Sequence, residues 1–315
     1  MIEWFELIHG WVFEQLVQPA AFHLGQGNLL DLAYEGTGWV LVGLLQIAVL
    51  LLVVGPIERW CPVEPVHDRH AVRIDVIYTV IHRLGIIKLV LFFSVDVWLD
   101  QLFGLLRVQG LATWHLDHLL PETWSAPWIT FLLYLVVFDL LQYGIHRAEH
   151  RFNWWWALHA VHHSQRQMTM WTDDRNHLLD DTLRNVLFAG VALLIGVPPG
   201  QYVALVAISQ LCESFQHANV RIWFGRVGER LLISPRFHRM HHSVGIGHEN
   251  PDTQALGGCN FGVLFPWWDM LFGSANFDLR FDATGIRDQV EAGRDYGQGF
   301  WAQQWLGLRR MFGAP

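Results

Sequence analysis

The chain has 315 residues, 52% of them hydrophobic and only 16% charged, with a formal net charge of -8 at pH 7. That balance provides ample apolar surface for a core and points to the membrane; with no basic stripe or recognition motif, nucleic acid is not expected as a partner. Three widely separated cysteines, Cys61, Cys212 and Cys259, show no Cys-x2-Cys pairing, so neither a disulfide framework nor an iron–sulfur cluster is expected and electrons must come from elsewhere.

Residues 1–18 alternate apolar with acidic or amide positions at near-helical spacing, which predicts a helix lying on the membrane surface or over a bundle. The same stretch lacks a basic leading region and carries Glu3, Glu6, His9 and Glu14, so a cleavable secretory signal is not expected. Residues 38–56 (GWVLVGLLQIAVLLLVVGP) are a continuous apolar run followed by Glu58 and Arg59, long enough to cross a bilayer. Residues 74–98 are a second candidate span, but Asp75, His82, Arg83, Lys88 and Asp96 require it to be partly covered by protein. Residues 127–145 (PWITFLLYLVVFDLLQYGI) form a third, running directly into a histidine cluster. Residues 185–216 are apolar but broken by Pro198-Pro199-Gly200, which predicts a helical hairpin that enters the membrane and returns. The chain ends in Phe300, Trp301 and Trp305 with Arg309 and Arg310, an interfacial-anchor pattern.

The expected fold is an all-α integral membrane protein with about four transmembrane or re-entrant helices carrying a histidine-rich, two-metal helical domain. Its expected divisions are an interfacial segment at 1–37, a membrane-embedded body at 38–280 and an interfacial tail at 281–315. Basic residues are missing before Arg59 and crowd around the histidines, so the histidine motifs are expected on the cytoplasmic side, in the manner of a bacterial inner membrane protein.

Three histidine clusters dominate the second half: His146 and His150 in HRAEH, His159, His162 and His163 in HAVHH, and His238, His241 and His242 in HRMHH. On a helix, residues three or four apart share a face, so each cluster aims its imidazoles at one place. A structural zinc site normally uses cysteine and four closed ligands; many histidines without cysteine suit a two-metal reactive centre with open positions. His217, with Glu213 one turn earlier, and His177, between Asp173 and Asp181, are further candidate ligands. Asp139, on the stripe of Tyr143, His146 and His150, and Glu213 are candidate supporting carboxylates. Trp154, Trp155 and Trp156 read as packing or interfacial residues that could also wall an apolar pocket.

With these residues in place, the chain resembles the fatty acid hydroxylase and sterol desaturase superfamily of membrane di-iron enzymes. FDLLQYGIHRAEH, FNWWWALHAVHHS, the HAN of His217 to Asn219, SPRFHRMHHS and CNFGVLFPWWDMLFGS look like that family's blocks in their usual order, over residues 139–273. Relatives commonly have proline after the histidine matched by His177, where this chain has Leu178. The resemblance implies two iron ions, O2 as co-substrate, a separate electron-transfer protein as donor, and hydroxylation or desaturation of an unactivated C–H bond in a membrane lipid. A sterol or carotenoid ring oxidase with the same chemistry is an alternative. A metal-transporting or metal-sensing membrane protein is another, though transport would put ligands in the middle of several spans rather than at their ends.

Overall fold

The computed structural model describes residues 2–86, 97–119, 121, 126–244 and 258–313, and all the regular structure in them is helical. Helix α1 (Ile2–Val12) runs through a π turn at Phe13–Val17 into the short helix Gln18–His23. It is held by His9, whose ring stacks on Tyr34 at 4.0 Å between centroids and meets the Tyr34 carbonyl oxygen at 2.8 Å. Trp4, Leu7, Trp11 and Leu16 remain exposed on its outer side.

Helix α2 (Leu30–Val49) continues through Leu50–Val54 and Gly55–Trp60. Leu44, Leu45, Leu51, Leu52 and Val53 face outward, whereas Leu50 and Val54 are buried against Met170, Ala218 and Val220. The polar residue in this apolar run is accounted for: Gln46 Nε2 donates to the Ala207 carbonyl at 3.0 Å and to Gln210 Oε1 at 3.2 Å. Buried amides must find such partners.

Helix α3 (Arg69–Arg83) starts at Asp68, whose carboxylate accepts from the Ala71 amide, and ends at a Leu84–Gly85 turn with Gly85 at φ +70°. The expected continuous span over 74–98 is therefore interrupted at Gly85; its residues 87–96 lie outside the described residues. The three of these groups in α3 are covered: Asp75 meets Arg175 at 2.6 Å, His82 meets Asp181 at 2.7 Å, and Arg83 bridges Asp173 and Asp174 at 2.7 and 2.9 Å, while Lys88 and Asp96 lie outside the described residues. These pairs fasten α3 to the loop that follows the second histidine cluster and, through Asp181, to the start of the next helix. Helix α4 (Val97–Val108) comes next.

Helix α5 (Pro127–Arg151) begins with proline at its first turn, where the missing N–H costs nothing, and turns at Phe152 into α6 (Asn153–His163). Its Tyr134, Leu135 and Phe138 form a core with Ile195, Leu205, Val263 and Leu264. Helices α7 (Leu178–Ile195) and α8 (Pro199–His217) make the expected hairpin. Gly196 at φ +72° ends α7 in the left-handed conformation that a side chain resists, and Pro199 restarts the helix.

Helix α9 (Pro235–His241) is capped by Ser234, whose hydroxyl accepts from the Phe237 amide at 3.2 Å. The chain closes with α10 (Phe300–Met311), which lies along α6. Gln303, Gln304 and Gly307 form its buried stripe, and Trp301 and Trp305 stand on the exposed side. Among the described residues, two helical stretches are long and apolar enough to cross a membrane, Gly27–Trp60 and Pro127–Arg151.

Candidate metal centre

Helices α5, α6, α8 and α9 converge so that nine of the ten expected histidines fall into two groups. His146, His150, His159, His163 and His241 form one; His162, His217, His238 and His242 form the other; within each, one ring nitrogen per residue lies within 4.8 Å of all the rest. The local spacing explains the arrangement. His146 and His150 are one turn apart on α5, and on α6 His159 and His163 face the first group while His162 faces the second.

Hydrogen bonds from the opposite edge of several rings fix which nitrogen points inward. Nδ1 of His146 meets the Phe261 carbonyl at 2.9 Å, Nδ1 of His241 the Cys259 carbonyl at 2.7 Å, and Nδ1 of His217 the Glu213 carbonyl at 2.7 Å. A carbonyl can only accept, so each Nδ1 donates and each Nε2 carries a lone pair. These inward nitrogens lie close to their neighbours: His217 Nε2 is 2.9 Å from His238 Nε2 and 3.0 Å from His162 Nε2, and His241 Nε2 is 3.2 Å from His163 Nε2. His146 Nε2 is buried without a hydrogen-bond partner.

Burial pushes His241 down to about 4, and burial followed by the neighbouring imidazoles holds His162, His238 and His242 well below the ordinary histidine range. At neutral pH these rings are uncharged acceptors. Neutral imidazole nitrogens gathered at such separations can together ligate a cation. The donor set therefore fits metal ions, with nitrogen from histidine as the available ligand.

Around the first group stands a pair of buried carboxylates. His159 Nδ1 lies 3.3 Å from Asp180 Oδ2 and 3.4 Å from Glu149 Oε2, while Trp155 Nε1 donates to Asp180 Oδ1 at 2.6 Å and Arg184 reaches Glu149 at 3.5 Å. These two acids were missed in the sequence although Glu149 stands inside HRAEH; the signal was an acid one residue before His150 and another three after His177. Trp156 walls the same group, its ring 5.0 Å from His150 and 5.3 Å from His163.

The expected supporting carboxylates do other work. Asp139 accepts from the amides of Leu264 and Phe265 at 2.7 and 3.3 Å and from Trp268 Nε1 at 2.8 Å, so it latches the loop that carries Phe261 rather than touching a histidine. Glu213 orients His217 through its backbone carbonyl, while its carboxylate accepts from Gln142 Nε2 at 3.4 Å. Asp173, expected beside His177, stands instead 3.7 Å from His217 Nδ1 and pairs with Arg83.

The structure does not bring His177 to either group. It caps α7, accepting from the Leu179 amide through Nδ1 at 3.1 Å and donating from Nε2 to the Gln304 carbonyl at 2.8 Å. Both ring nitrogens are committed to the chain, and Gly307 of α10 lies against the ring so closely that a Cβ there would come within 2.7 Å. His177, expected as a further ligand, thus sits at the start of α7 outside both histidine groups.

A cavity of about 130 Å3 opens between α5, α7 and α8 and reaches His146, His159, His162, His217 and His238. Phe188, Leu205, Val206 and Val263 give it apolar wall, and Gln142, Ser209, Glu213 and Gln216 give it polar wall.

The family model for fatty acid hydroxylase matches residues 131–274. An ornithine lipid hydroxylase of Rhizobium tropici is 28% identical over 187 residues, 59% of this chain and 53% of that protein. An alkylglycerol monooxygenase of Danio rerio is 29% identical over 161 residues, 51% of this chain and 33% of that protein. A Delta(7)-sterol 5(6)-desaturase of Gibberella zeae is 29% identical over 151 residues, 48% of this chain and 43% of that protein. The chain thus spans between about a third and about half of the length of these relatives. No solved structure matches it. The matched segment contains every residue of both histidine groups, and over it the chain is similar to lipid hydroxylases and sterol desaturases.

Proposed function

We propose that this chain is an O2-dependent membrane oxidoreductase that hydroxylates or desaturates an unactivated C–H bond of a lipid, using two iron ions. The observation that carries the reading is the two groups of inward ring nitrogens, with three of the rings, His146, His217 and His241, oriented by carbonyl bonds on their far side. His146, His150, His159, His163 and His241 would hold one metal, and His162, His217, His238 and His242 the other. When bound, iron supplies activation of O2, with electrons from a separate electron-transfer protein.

The chain's own residues supply aim and exclusion of water. The carbonyls of Phe261, Cys259 and Glu213 hold imidazoles in one orientation, and Asp139 and Asp269 hold the loop that presents the first two of these carbonyls. Trp156 and Phe261 close apolar surface over the first group. The cavity between α5, α7 and α8 admits the substrate from the hairpin side, where a lipid is already dissolved.

In this reading Gly27–Trp60 and Pro127–Arg151 span the membrane and the α7–α8 hairpin enters it, which accounts for three of the about four membrane elements expected. The division into 1–37, 38–280 and 281–315 follows, with the histidine helices on the cytoplasmic face of a bacterial inner membrane. Lipid extracts from cells with and without the gene test the activity. A gain of one oxygen or a loss of two hydrogens in one lipid class supports it; identical extracts from an expressed, iron-loaded protein supplied with electrons and O2 would falsify it.

A further inference from the structure

We propose that the polar end of the cavity beside the histidines is a headgroup subsite for a primary ammonium, which places the oxidised carbon within a few bonds of an amine. The inference rests on the cavity being the substrate site of the proposed lipid oxidation, and it goes further by naming the headgroup.

The first observation is a set of buried acceptors without donors. Gln142, Ser209 and Gln216 line the cavity and are 8%, 2% and 3% exposed. The amide nitrogens are used, Gln142 Nε2 on Glu213 at 3.4 Å and Gln216 Nε2 on the Val263 carbonyl at 2.6 Å. Gln142 Oε1, Gln216 Oε1 and Ser209 Oγ are left without hydrogen-bond partners. Leaving buried acceptors unpaired is unfavourable, so the site is built for a ligand that donates.

The second is charge. Asp173, Asp174, Asp181, Glu213 and Arg184 all line the cavity. Arg83 answers Asp173 and Asp174, His82 faces Asp181, and Arg184 lies 3.5 Å from Glu149. Glu213 has no direct ion pair among the described residues, and two acids share Arg83, so carboxyl groups outnumber guanidinium groups along the polar wall. A primary ammonium offers three donors, no acceptor and one positive charge, which matches these acceptors and this carboxylate; an alcohol would bring lone pairs of its own to a wall already rich in acceptors.

The third is size and spacing. About 130 Å3 is close to the cavity of roughly 150 Å3 that accommodates benzene in an engineered protein, so this space takes a group of a few heavy atoms rather than a full acyl chain. Gln142 and His146 are one turn apart on α5, and Ser209, Glu213 and His217 stand at successive turns of α8. A turn rises about 5.4 Å, so a group bound at Gln142 and Ser209 lies one to two turns from the inward imidazoles. Only carbons near that group can reach the histidines.

The test uses the full chain in phosphatidylcholine nanodiscs and three radiolabelled C16 lipids whose headgroups end in a primary amine, its N-trimethyl form or its N-acetyl form. Metal-free protein should retain the primary amine at least tenfold more tightly than either counterpart. The Gln142→Leu/Ser209→Ala double variant should bring the ratio close to one while still taking up two zinc ions per chain, which shows that its histidine centre is folded. Equal retention of all three lipids by the wild type overturns the subsite. In reconstituted turnover, mass spectrometry should place the added oxygen or double bond within a few carbons of the nitrogen. Oxidation in the middle of the acyl chain overturns the inference while supporting the proposed activity; an amine preference with no oxidation of any lipid supports the subsite and counts against the activity.

Discussion

Gly43 of α2 lies directly against Arg83 of α3: a Cβ at residue 43 would fall 1.8 Å from the Arg83 carbonyl oxygen. Helix backbones meet this closely only where a side chain is missing, and here the approach delivers the Arg83 guanidinium to Asp173, Asp174 and Ser214. Gly43→Val should destabilise the fold by at least the ~1–3 kcal/mol of an overpacked core, because the obstacle is backbone rather than a movable side chain. Gly144→Ala, where nothing lies within 4 Å, should be neutral or slightly stabilising. Thermal unfolding of the two variants in the same detergent measures the contrast; equal melting would show that the helices are not in contact.

The two histidine groups should empty separately. His238→Ala removes one nitrogen from the four-membered group and leaves the five-membered group intact, so bound metal should fall from two ions per chain toward one. His241→Ala should do the same at the other group, and both variants should lose oxygen-dependent product. Elemental analysis of purified protein gives the stoichiometry. Two tightly held ions in either variant would rule out the proposed division of ligands.

Asp180→Ala takes away the acceptor for Trp155 Nε1 and one of the two carboxylates at His159 Nδ1. Loss of a partner that orients a ligand typically costs ten- to a hundredfold in metal affinity or activity. That range should appear in metal competition at the five-histidine group, and Asp180→Asn should recover part of it. An unchanged affinity in Asp180→Ala would reduce Asp180 to a packing role.

Of the centre, what was legible in the sequence was what local spacing encodes. HRAEH, HAVHH and HRMHH put imidazoles on common helix faces without any knowledge of tertiary structure, and Pro198-Pro199 marked the hairpin. The partners behind the rings were not legible, because Phe261 reaches His146 across 115 residues and does so through a backbone carbonyl that any residue type could supply. His177 misled for a related reason. A histidine ahead of two aspartates reads equally well as a ligand or as a helix cap, and only the docking of α10 against it decides for the cap. Asp139 likewise shares a stripe with His146 but turns its carboxylate toward amides from residues 264 and 265, a partner sequence spacing does not reveal.

His177 should make the fold sensitive to mild acid. Burial lowers its affinity for protons below the ordinary value of about 6.5, partly opposed by the Gln304 carbonyl, and a protonated ring cannot accept from the Leu179 amide. Because the unfolded chain takes up the proton first, this residue's contribution is complete above about pH 6.5 and is lost as pH falls below it. The gap in melting temperature between wild type and His177→Gln should be wide at pH 7.5 and narrow at pH 5.5, with both proteins holding the same amount of metal. A gap that stays constant across this range, or metal lost from the variant, would contradict the capping role.

Asp139→Ala should loosen the loop bearing Phe261 by leaving the amides of Leu264 and Phe265 and Trp268 Nε1 without their acceptor. Each buried donor left unpaired costs about 1–3 kcal/mol. Hydrogen exchange at residues 261–268 should rise in the variant while exchange in α10 stays as in the wild type. Protection unchanged in the loop would mean that Asp139 is not its latch.

The distribution of the nine histidines along the chain also sets an order of events during synthesis. The four-membered group takes His162 and His217 from earlier helices and both of its remaining nitrogens from His238 and His242; the five-membered group waits for His241. A ribosome that has made 230 residues has therefore produced a chain with neither nest complete. Both nests stay open until α9 is made, and neither set of nitrogens can close around a cation in a chain that still lacks His238, His241 and His242.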